Sequence, residues 1–393
     1  MRVLFVYDSL SPIGGGSQIA VLTWIKNLNL KNIKTKLITG NFTEKNEKNY
    51  FSNNINIIPT FSLNLSFLYP KFHLSLFLTS EAIKKINQFS PQIIHLNEPS
   101  ILSFFILKFA QKNKIKTISS FHTNFSEAAS NSSWLFSKNN GLVKQLIKKY
   151  QFYLLKKSNF ITTPSNYYKN LLQEEISKKI FILPYPISNR FFIREKKISS
   201  TIPRIIKLVT FSRLSGEKKI DFLIEIMRYL PNDFQLTIIG DGVDRNFLEK
   251  KVDKLSLRKN IVFTGWIKHD NLPKILKKHH LFISASSFET FGISYIESLA
   301  CGLPLVLLDY HVSREIIPPG MALFIKDLNP KKWAQELIKI KKRQKYISMK
   351  KQIFVNYQKI FKYNEIKSTE ILINIYKKII NEKQNLGNYP SLQ

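Results

Sequence analysis

The chain has 393 residues, 44% of them hydrophobic, and carries 60 Lys+Arg against 27 Asp+Glu for a formal charge of +33. That length exceeds the usual single domain, so two domains of roughly 150–200 residues are expected. The apolar content excludes a disordered chain, and the single cysteine, Cys301, excludes an intramolecular disulfide framework.

In chain order, Arg2 to Val6 reads as a first strand and Asp8 to Gly16 as a turn-rich loop ending in three glycines. Ile19, Leu22, Trp24, Ile25 and Leu28 recur at helical spacing, and Thr35 to Thr39 follows as a second strand. A glycine loop between strand and helix is a site of close ligand approach. Residues 43–54, rich in Asn, Lys and Glu, read as an exposed loop. Glu81 to Phe89 is an expected helix stopped by Pro91, and Gln92 to Leu96 an expected strand carrying His95, best read as a structural histidine. Lys116 to Ser120 is a strand with His122 just past its carboxyl end, where a parallel sheet presents ligands.

Gly141 to Lys157 sets Leu142, Val143, Leu146, Ile147, Tyr150, Tyr153 and Leu154 against Lys144, Lys148, Lys149, Lys156 and Lys157. Such a basic amphipathic helix reads first as a domain helix with a solvated lysine face; Trp134-Leu135-Phe136 just upstream keeps open the alternative that it lies on an anionic membrane. Phe160 to Ser165 reads as strand and turn, Ile180 to Leu183 as a strand, and Pro184-Tyr185-Pro186-Ile187 as the start of a linker. No stretch reaches the ~18–20 apolar residues of a membrane span; Ile101 to Ala110 is short, and Leu63 to Leu78 is interrupted by Pro70, Lys71 and His73. The absence of a secretory leader places the chain in the cytoplasm as an expectation.

The second half begins with a strand over Ile205 to Thr210, followed by a loop with Arg213 and Lys218. An arginine fork beside a lysine point charge suits a diphosphate. Gln235 to Ile239 with Gly240-Asp241-Gly242, and Ile261 to Trp266, supply two further strands with turns. The densest chemistry lies in Leu281 to Asp309. Leu281-Phe282-Ile283 is a buried strand, Ser284 to Gly292 a polar loop, and Ile293, Ile296, Leu299 and Ala300 a helical stripe stopped by Gly302 and Pro304 before the strand Leu305 to Leu308. Phe291, Gly292 and Ile293 open that helix, where N–H groups and the macrodipole favour an anion. Glu289 and Glu297, separated by seven residues, stand on either side as hydroxyl acceptors. A sugar, a phosphate bridge and a ribose in series fit this arrangement. Farther on, Ile371, Leu372, Ile375, Tyr376, Ile379 and Ile380 form one apolar helical stripe, and the residues after Lys383 read as a frayed tail.

The string Glu289-Thr290-Phe291-Gly292-Ile293 with Glu297, followed by Ala300-Cys301-Gly302-Leu303-Pro304, resembles the nucleotide-sugar signature of retaining glycosyltransferases of family 4, in the superfamily of glycogen synthases and phosphatidylinositol mannosyltransferases. Arg213-Leu214 with Lys218 resembles the family's R-L-x-x-x-K-G element, with Lys219 in place of the glycine, and Gly240-Asp241-Gly242 its G-x-G segment. Asp309 to Glu315 departs from the family's commoner G-G-x-x-E.

The resemblance implies an α/β GT-B fold, two Rossmann-like domains facing across a cleft. The expected boundaries are 1–186 for an acceptor-side domain rejoined by helices 365–383, 187–203 for a linker, 204–350 for a nucleotide-sugar domain, and 351–393 for terminal helices and tail. It implies catalytic roles for His122, Arg213, Lys218 and Glu289. Gly15, Gly16, Phe291, Gly292, Ile293 and Glu297 would bind the donor, and Gln18 would lie near the acceptor. The implied reaction moves a hexosyl group from a UDP- or GDP-sugar to a hydroxyl with retention, with the nucleotide-sugar as substrate and no cofactor or essential metal.

A lipid acceptor on the inner face of the cell membrane fits the basic charge; extension of a polysaccharide or oligosaccharide is the alternative within the family. A nucleic-acid-binding protein is a reading of a different class, but no zinc-finger, RRM or helix-turn-helix signature accompanies the +33. A catalytically inactive sugar-nucleotide binder would not need Glu289, Arg213 and Lys218 together.

Overall fold

The computed structural model describes residues 1–8, 10, 14–40, 55–64, 73–122, 141–192, 201–342 and 345–382. The loop expected at 43–54, the segment 123–125 after His122, the aromatic triplet 134–136, most of the linker from 193 to 200 and the tail after 382 lie outside these residues. So does much of the apolar stretch between Leu63 and Leu78. The described chain divides into two units, one of residues 1–122, 141–186 and 365–382, the other of residues 187–364.

The first unit is built on seven parallel strands: β1 Arg2–Val6, β2 Lys34–Gly40, β3 Ile57–Thr60, β4 Ile93–Leu96, β5 Lys116–Ser120, β6 Phe160–Thr163 and β7 Ile180–Ile182. Their order is β3-β2-β1-β4-β5-β6-β7, with Val3 opposite Ile93 and Val6 opposite Leu96 where the order reverses. Val3 to Val6 and Ile93 to Leu96 are buried throughout, as strands covered on both faces must be. Helices fill both faces. Helix Ser80–Phe89 starts where Thr79 Oγ1 accepts from Ala82 N at 3.2 Å, and helix Ile101–Lys112 where Ser100 Oγ accepts from Ser103 N at 3.1 Å.

The expected C-terminal stripe lies on helix Glu365–Asn381, which packs on the first unit. Leu372, Ile375, Tyr376 and Ile379 are buried, the Trp24 indole N–H donates to Ser368 Oγ at 2.9 Å, and Ser368 Oγ donates to the Pro184 carbonyl at 2.6 Å. Each fully buried aliphatic side chain here contributes about 1.5–3 kcal/mol.

The second unit has six parallel strands: β8 Ile206–Phe211, β9 Phe234–Ile239, β10 Ile261–Gly265, β11 Leu281–Ser284, β12 Leu305–Leu308 and β13 Ala322–Ile325. Their order, β10-β9-β8-β11-β12-β13, again reverses beside the first strand, with Leu208 opposite Leu281. The helix after β11 runs Ile293–Ala300 and ends in a Schellman turn. Gly302 N bonds Leu299 O, Leu303 N bonds Ser298 O, and Gly302 takes the left-handed φ of +80° that glycine adopts without strain. Pro304 then prevents continuation.

Helices Lys345–Val355 and Tyr357–Phe361 belong to the second unit, so the terminal segment expected from residue 351 divides at 364. Tyr346 and Ile347 enter that unit's core, and the Ile187 N–H donates to the Tyr363 carbonyl at 2.9 Å. These contacts hold the segment there before the chain returns to the first unit at Glu365.

Candidate active site

Both sheets present their carboxyl ends at the reversal of strand order, where open α/β sheets gather ligands. In the second unit that edge carries the charged residues. Lys218 ends the short 3₁₀ turn Gly216–Lys218 after β8, Glu289 lies in the loop after β11, and Lys218 Nζ meets Glu289 Oε1 at 2.7 Å. Their side chains are 17% and 16% exposed, so the pair is shielded yet reachable.

Arg213 stands on the same loop as Lys218, half exposed, with Nη2 3.8 Å from Glu217 Oε1; Ser215 Oγ donates to that oxygen at 2.6 Å. Lys219 occupies the position where the family pattern has glycine, and its φ of +50° and ψ of +42° are left-handed. This is a conformation that glycine adopts freely and a lysine adopts only with strain.

Gly292 caps the helix Ile293–Ala300 with φ +71° and ψ +58°. A Cβ there would sit 2.5 Å from the Tyr295 ring, so the position requires glycine twice over. The Gly292 carbonyl accepts from Tyr295 and Ile296, so the N–H groups of Ile293 and Ser294 precede the first intrahelical bonds. No acid stands in the first turn, and no side chain among the described residues caps it. Phe291 is buried, its ring edge-on to Tyr363 at 5.3 Å, which fixes the backbone before Gly292. Burial pushes the Tyr295 phenol well above its ordinary range, and the charge of Glu289 adds to that rise.

Glu297, on the second turn, is only 3% exposed, and its Oε1 accepts from His269 Nε2 at 2.6 Å. His269 lies in the 3₁₀ turn His269–Asn271 after β10, and sequence reasoning did not single it out. Its one signal was a histidine shortly after a strand's carboxyl end, the same feature that drew attention to His122.

The corresponding edge of the first unit buries a network of neutral groups around two histidines. His122 is 6% exposed; its Nδ1 meets the Tyr185 hydroxyl at 2.7 Å and its Nε2 meets Asn97 Oδ1 at 3.2 Å. Asn97 Nδ2 donates to the His95 carbonyl at 2.9 Å, so Asn97 Oδ1 is the acceptor and His122 Nε2 the donor. His95 bonds Tyr376 Oη and Ser120 Oγ, both at 2.7 Å, and Ser120 Oγ bonds Thr162 Oγ1 at 2.6 Å. Burial depresses both imidazoles to about 3, helped at His95 by the neighbouring His122. His122 is therefore a neutral ring with both nitrogens engaged, and His95 the structural histidine its strand position suggested.

At the end of β1, Asp8 is buried and accepts from Ser75 N and Ser75 Oγ, while its own N–H donates to Glu98. Burial raises its carboxyl to about 6 against the lowering pull of those hydrogen bonds. Gly15 is the N-cap of helix Gly16–Leu30, with no atom of the described residues near where a Cβ would stand, and Gln18 is buried in its first turn. Within each unit the expected residues thus converge on one edge: Arg213, Lys218, Glu289, Phe291, Gly292, Ile293 and Glu297 in the second, Gly15, Gly16, Gln18 and His122 in the first.

Residues 14–189 match the family model described as Glycosyltransferase Family 4, and residues 192–359 match that of Glycosyl transferases group 1. The chain is 25% identical to the alpha-monoglucosyldiacylglycerol synthase of Streptococcus pneumoniae over 58% of its own length and 54% of that protein's. It is 27% identical to the sulfoquinovosyl transferase SQD2 of Arabidopsis thaliana over 64% and 49% of the two lengths. The chain therefore spans about half the length of these curated relatives.

Among solved structures, the sucrose-phosphate synthase of Thermosynechococcus elongatus superposes with a TM-score of 0.75 at 15% identity, covering 97% of this chain and 99% of that one. Anabaena HepE in complex with UDP and glucose gives 0.72 at 15% identity, covering 96% and 100%. The fold is accordingly GT-B, with two Rossmann-like domains. The two family models between them take in nearly the whole chain, each on one of the two units, and the chain belongs to glycosyltransferase family 4.

Proposed function

We propose that the protein is a retaining glycosyltransferase that moves a hexosyl group from a UDP- or GDP-sugar to an acceptor hydroxyl. The observation that carries this reading is the Lys218–Glu289 pair at 2.7 Å, set beside the uncapped helix start at Gly292. In this reading Lys218 and Arg213 take the diphosphate together with the N–H groups around Phe291, Gly292 and Ile293. Glu289 accepts from the sugar hydroxyls and Glu297 from the ribose. The barrier is departure of a nucleoside diphosphate from an oxocarbenium-like centre, so positive charge placed on the leaving group is the largest contribution the protein makes. The leaving phosphate helps deprotonate the acceptor, which gives retention without a carboxylate nucleophile.

The first unit handles the acceptor in this proposal. Its glycines 15 and 16 admit close approach, Gln18 lies near the acceptor, and His122 serves as a neutral hydrogen-bonding partner. A lipid acceptor at the inner face of the cell membrane is supported by helix Gly141–Lys157. Leu142 and Leu146 on it are 70% and 57% exposed, beside Lys144, Lys148 and Lys149, an arrangement suited to an anionic surface. The exposed rings of Phe61 and Phe77, stacked at 4.9 Å, add apolar surface to the same unit. No helix among the described residues is long and apolar enough to cross a membrane, so attachment in this proposal is peripheral. The similarity to a glucosyldiacylglycerol synthase supports the same choice of acceptor.

A thermal-shift screen of UDP- and GDP-sugars, followed by transfer assays with and without anionic liposomes, tests both parts. Stabilisation by one nucleotide series and a rate that rises with liposomes carrying diacylglycerol are expected. The donor reading fails if no sugar nucleotide binds; the lipid reading fails if liposomes neither bind the protein nor alter its rate.

A further inference from the structure

Glu297 poses a problem that the donor reading leaves open. A carboxylate removed from water is costly unless it is paired and held, and a loosely held one cannot distinguish a ribose hydroxyl from solvent. Among the described residues the only side chain that bonds it is His269, through Nε2 at 2.6 Å. His269 is itself fixed. The ring of Phe191, fully buried on the 3₁₀ turn Asn189–Phe191, packs against the imidazole at 4.9 Å, and Arg190 on that turn bridges to Asp270 at 2.7 Å. The Phe191 carbonyl also accepts from Cys301 Sγ at 3.6 Å, which ties the turn to the end of the helix that bears Glu297. Three segments distant in sequence thus close around one carboxylate.

We propose that His269 is the positioning residue of Glu297: by engaging Oε1 it sets the carboxylate's rotation and leaves Oε2 as the face offered to the nucleotide's ribose. This rests on the donor reading above, in which Glu297 meets the ribose. His269 does not touch the reacting centre, so its loss weakens nucleotide binding and leaves the chemical step intact. The same geometry explains why an acid buried this deeply persists on the second turn of the helix.

The test measures UDP and GDP binding by calorimetry, and donor KM and kcat, for the full chain carrying His269→Ala, His269→Phe, His269→Gln or Glu297→Gln. His269→Phe keeps a ring against Phe191 without a donor, so it carries the test should the alanine variant fail to fold. Loss of one charge-assisted hydrogen bond predicts about a tenfold rise in Kd and KM for the Ala and Phe variants with kcat unchanged. His269→Gln, which retains an N–H near the position of Nε2, restores most of the affinity. The proposal is overturned if Glu297→Gln weakens binding but His269→Phe does not, if kcat falls in place of affinity, or if glutamine fails to rescue. If the wild-type chain binds neither nucleotide, the donor reading has failed, and that result is separate from the others.

Discussion

The carboxyl edges of the two parallel sheets are built from the same topology and opposite chemistry. In the second unit the edge holds ionic groups that remain within reach of solvent, Lys218 with Glu289 and Arg213 with Glu217. In the first unit it holds a buried neutral relay, Tyr376–His95–Ser120–Thr162 and Asn97–His122–Tyr185. The ionic pairs of the second edge lie where water still reaches them, which lowers their cost, while the buried acids Asp8 and Glu297 are held by Ser75 and His269. Under the proposed function the contrast would be a division of labour: a dianionic leaving group needs fixed positive charge, whereas a neutral hydroxyl acceptor needs oriented donors and acceptors.

The sharpest break of that comparison is at the charged edge. Lys218→Ala or Glu289→Gln is expected to lower turnover by about 10²–10³-fold, the usual cost of removing one group that stabilises transition-state charge. Far-UV circular dichroism should be unchanged. The equivalent loss at the neutral edge, His122→Ala, should show as much in stability as in rate, because it removes the imidazole that bonds Asn97 Oδ1 and the Tyr185 hydroxyl.

Acid separates the two edges next. His95 and His122 are depressed by burial from 6.5 to about 3 in the folded chain. The unfolded chain therefore takes up protons first; their contribution is whole above about pH 6.5 and drains as pH falls toward 3. Each imidazole adds up to about 1.4 kcal/mol per pH unit to the slope of stability in that window. Asp8, raised from 3.8 to about 6, acts in the opposite sense: its contribution is present below 3.8 and is lost as pH rises through 6. Urea titrations at pH 7.5, 6 and 4.5 should show stability falling with acid, and Asp8→Asn should stabilise the chain at pH 7.5 more than at 4.5. A flat profile would mean the relay is not buried as described.

Backbone strain gives the smaller effects, with a sign that differs between two neighbouring turns. Gly292→Ala places a Cβ against Tyr295 at a positive φ and should cost more than about 1 kcal/mol in thermal denaturation, with weaker nucleotide binding. Lys219→Gly relieves a left-handed non-glycine residue and should be neutral to stabilising by up to about 1 kcal/mol.

Much of this was legible in the sequence where local signals agreed. The Gly302–Pro304 stop, the Leu281–Ile283 and Leu305–Leu308 strands and the helix from Ile293 all follow from buried runs, periodicity and turn residues, and the structure has them at nearly those bounds. Helix Ile101–Lys112, weighed only as a span too short for a membrane, is a domain helix whose inward face buries Leu102, Ile106, Leu107 and Ala110. The strand Ile57–Thr60 carries a proline at its sheet edge and offered no alternation to notice.

At the site, side-chain hydrogen bonds between distant segments were the unreadable part. Nothing in the order of residues says that His269 reaches Glu297, or that Tyr185 of the expected linker caps His122, because both contacts depend on the packing of separate segments. The conformation of Lys219 was equally hidden: the substitution was visible, but whether the loop kept the glycine geometry could be decided only by its dihedral angles.

A crystal structure of the chain with a UDP- or GDP-sugar would test the central claim most directly. The account predicts the diphosphate within hydrogen-bond distance of Lys218 and Arg213 and of the N–H groups at Gly292 and Ile293, with Glu289 on the sugar hydroxyls. A diphosphate held elsewhere, with the Lys218–Glu289 pair undisturbed and out of contact, would contradict it.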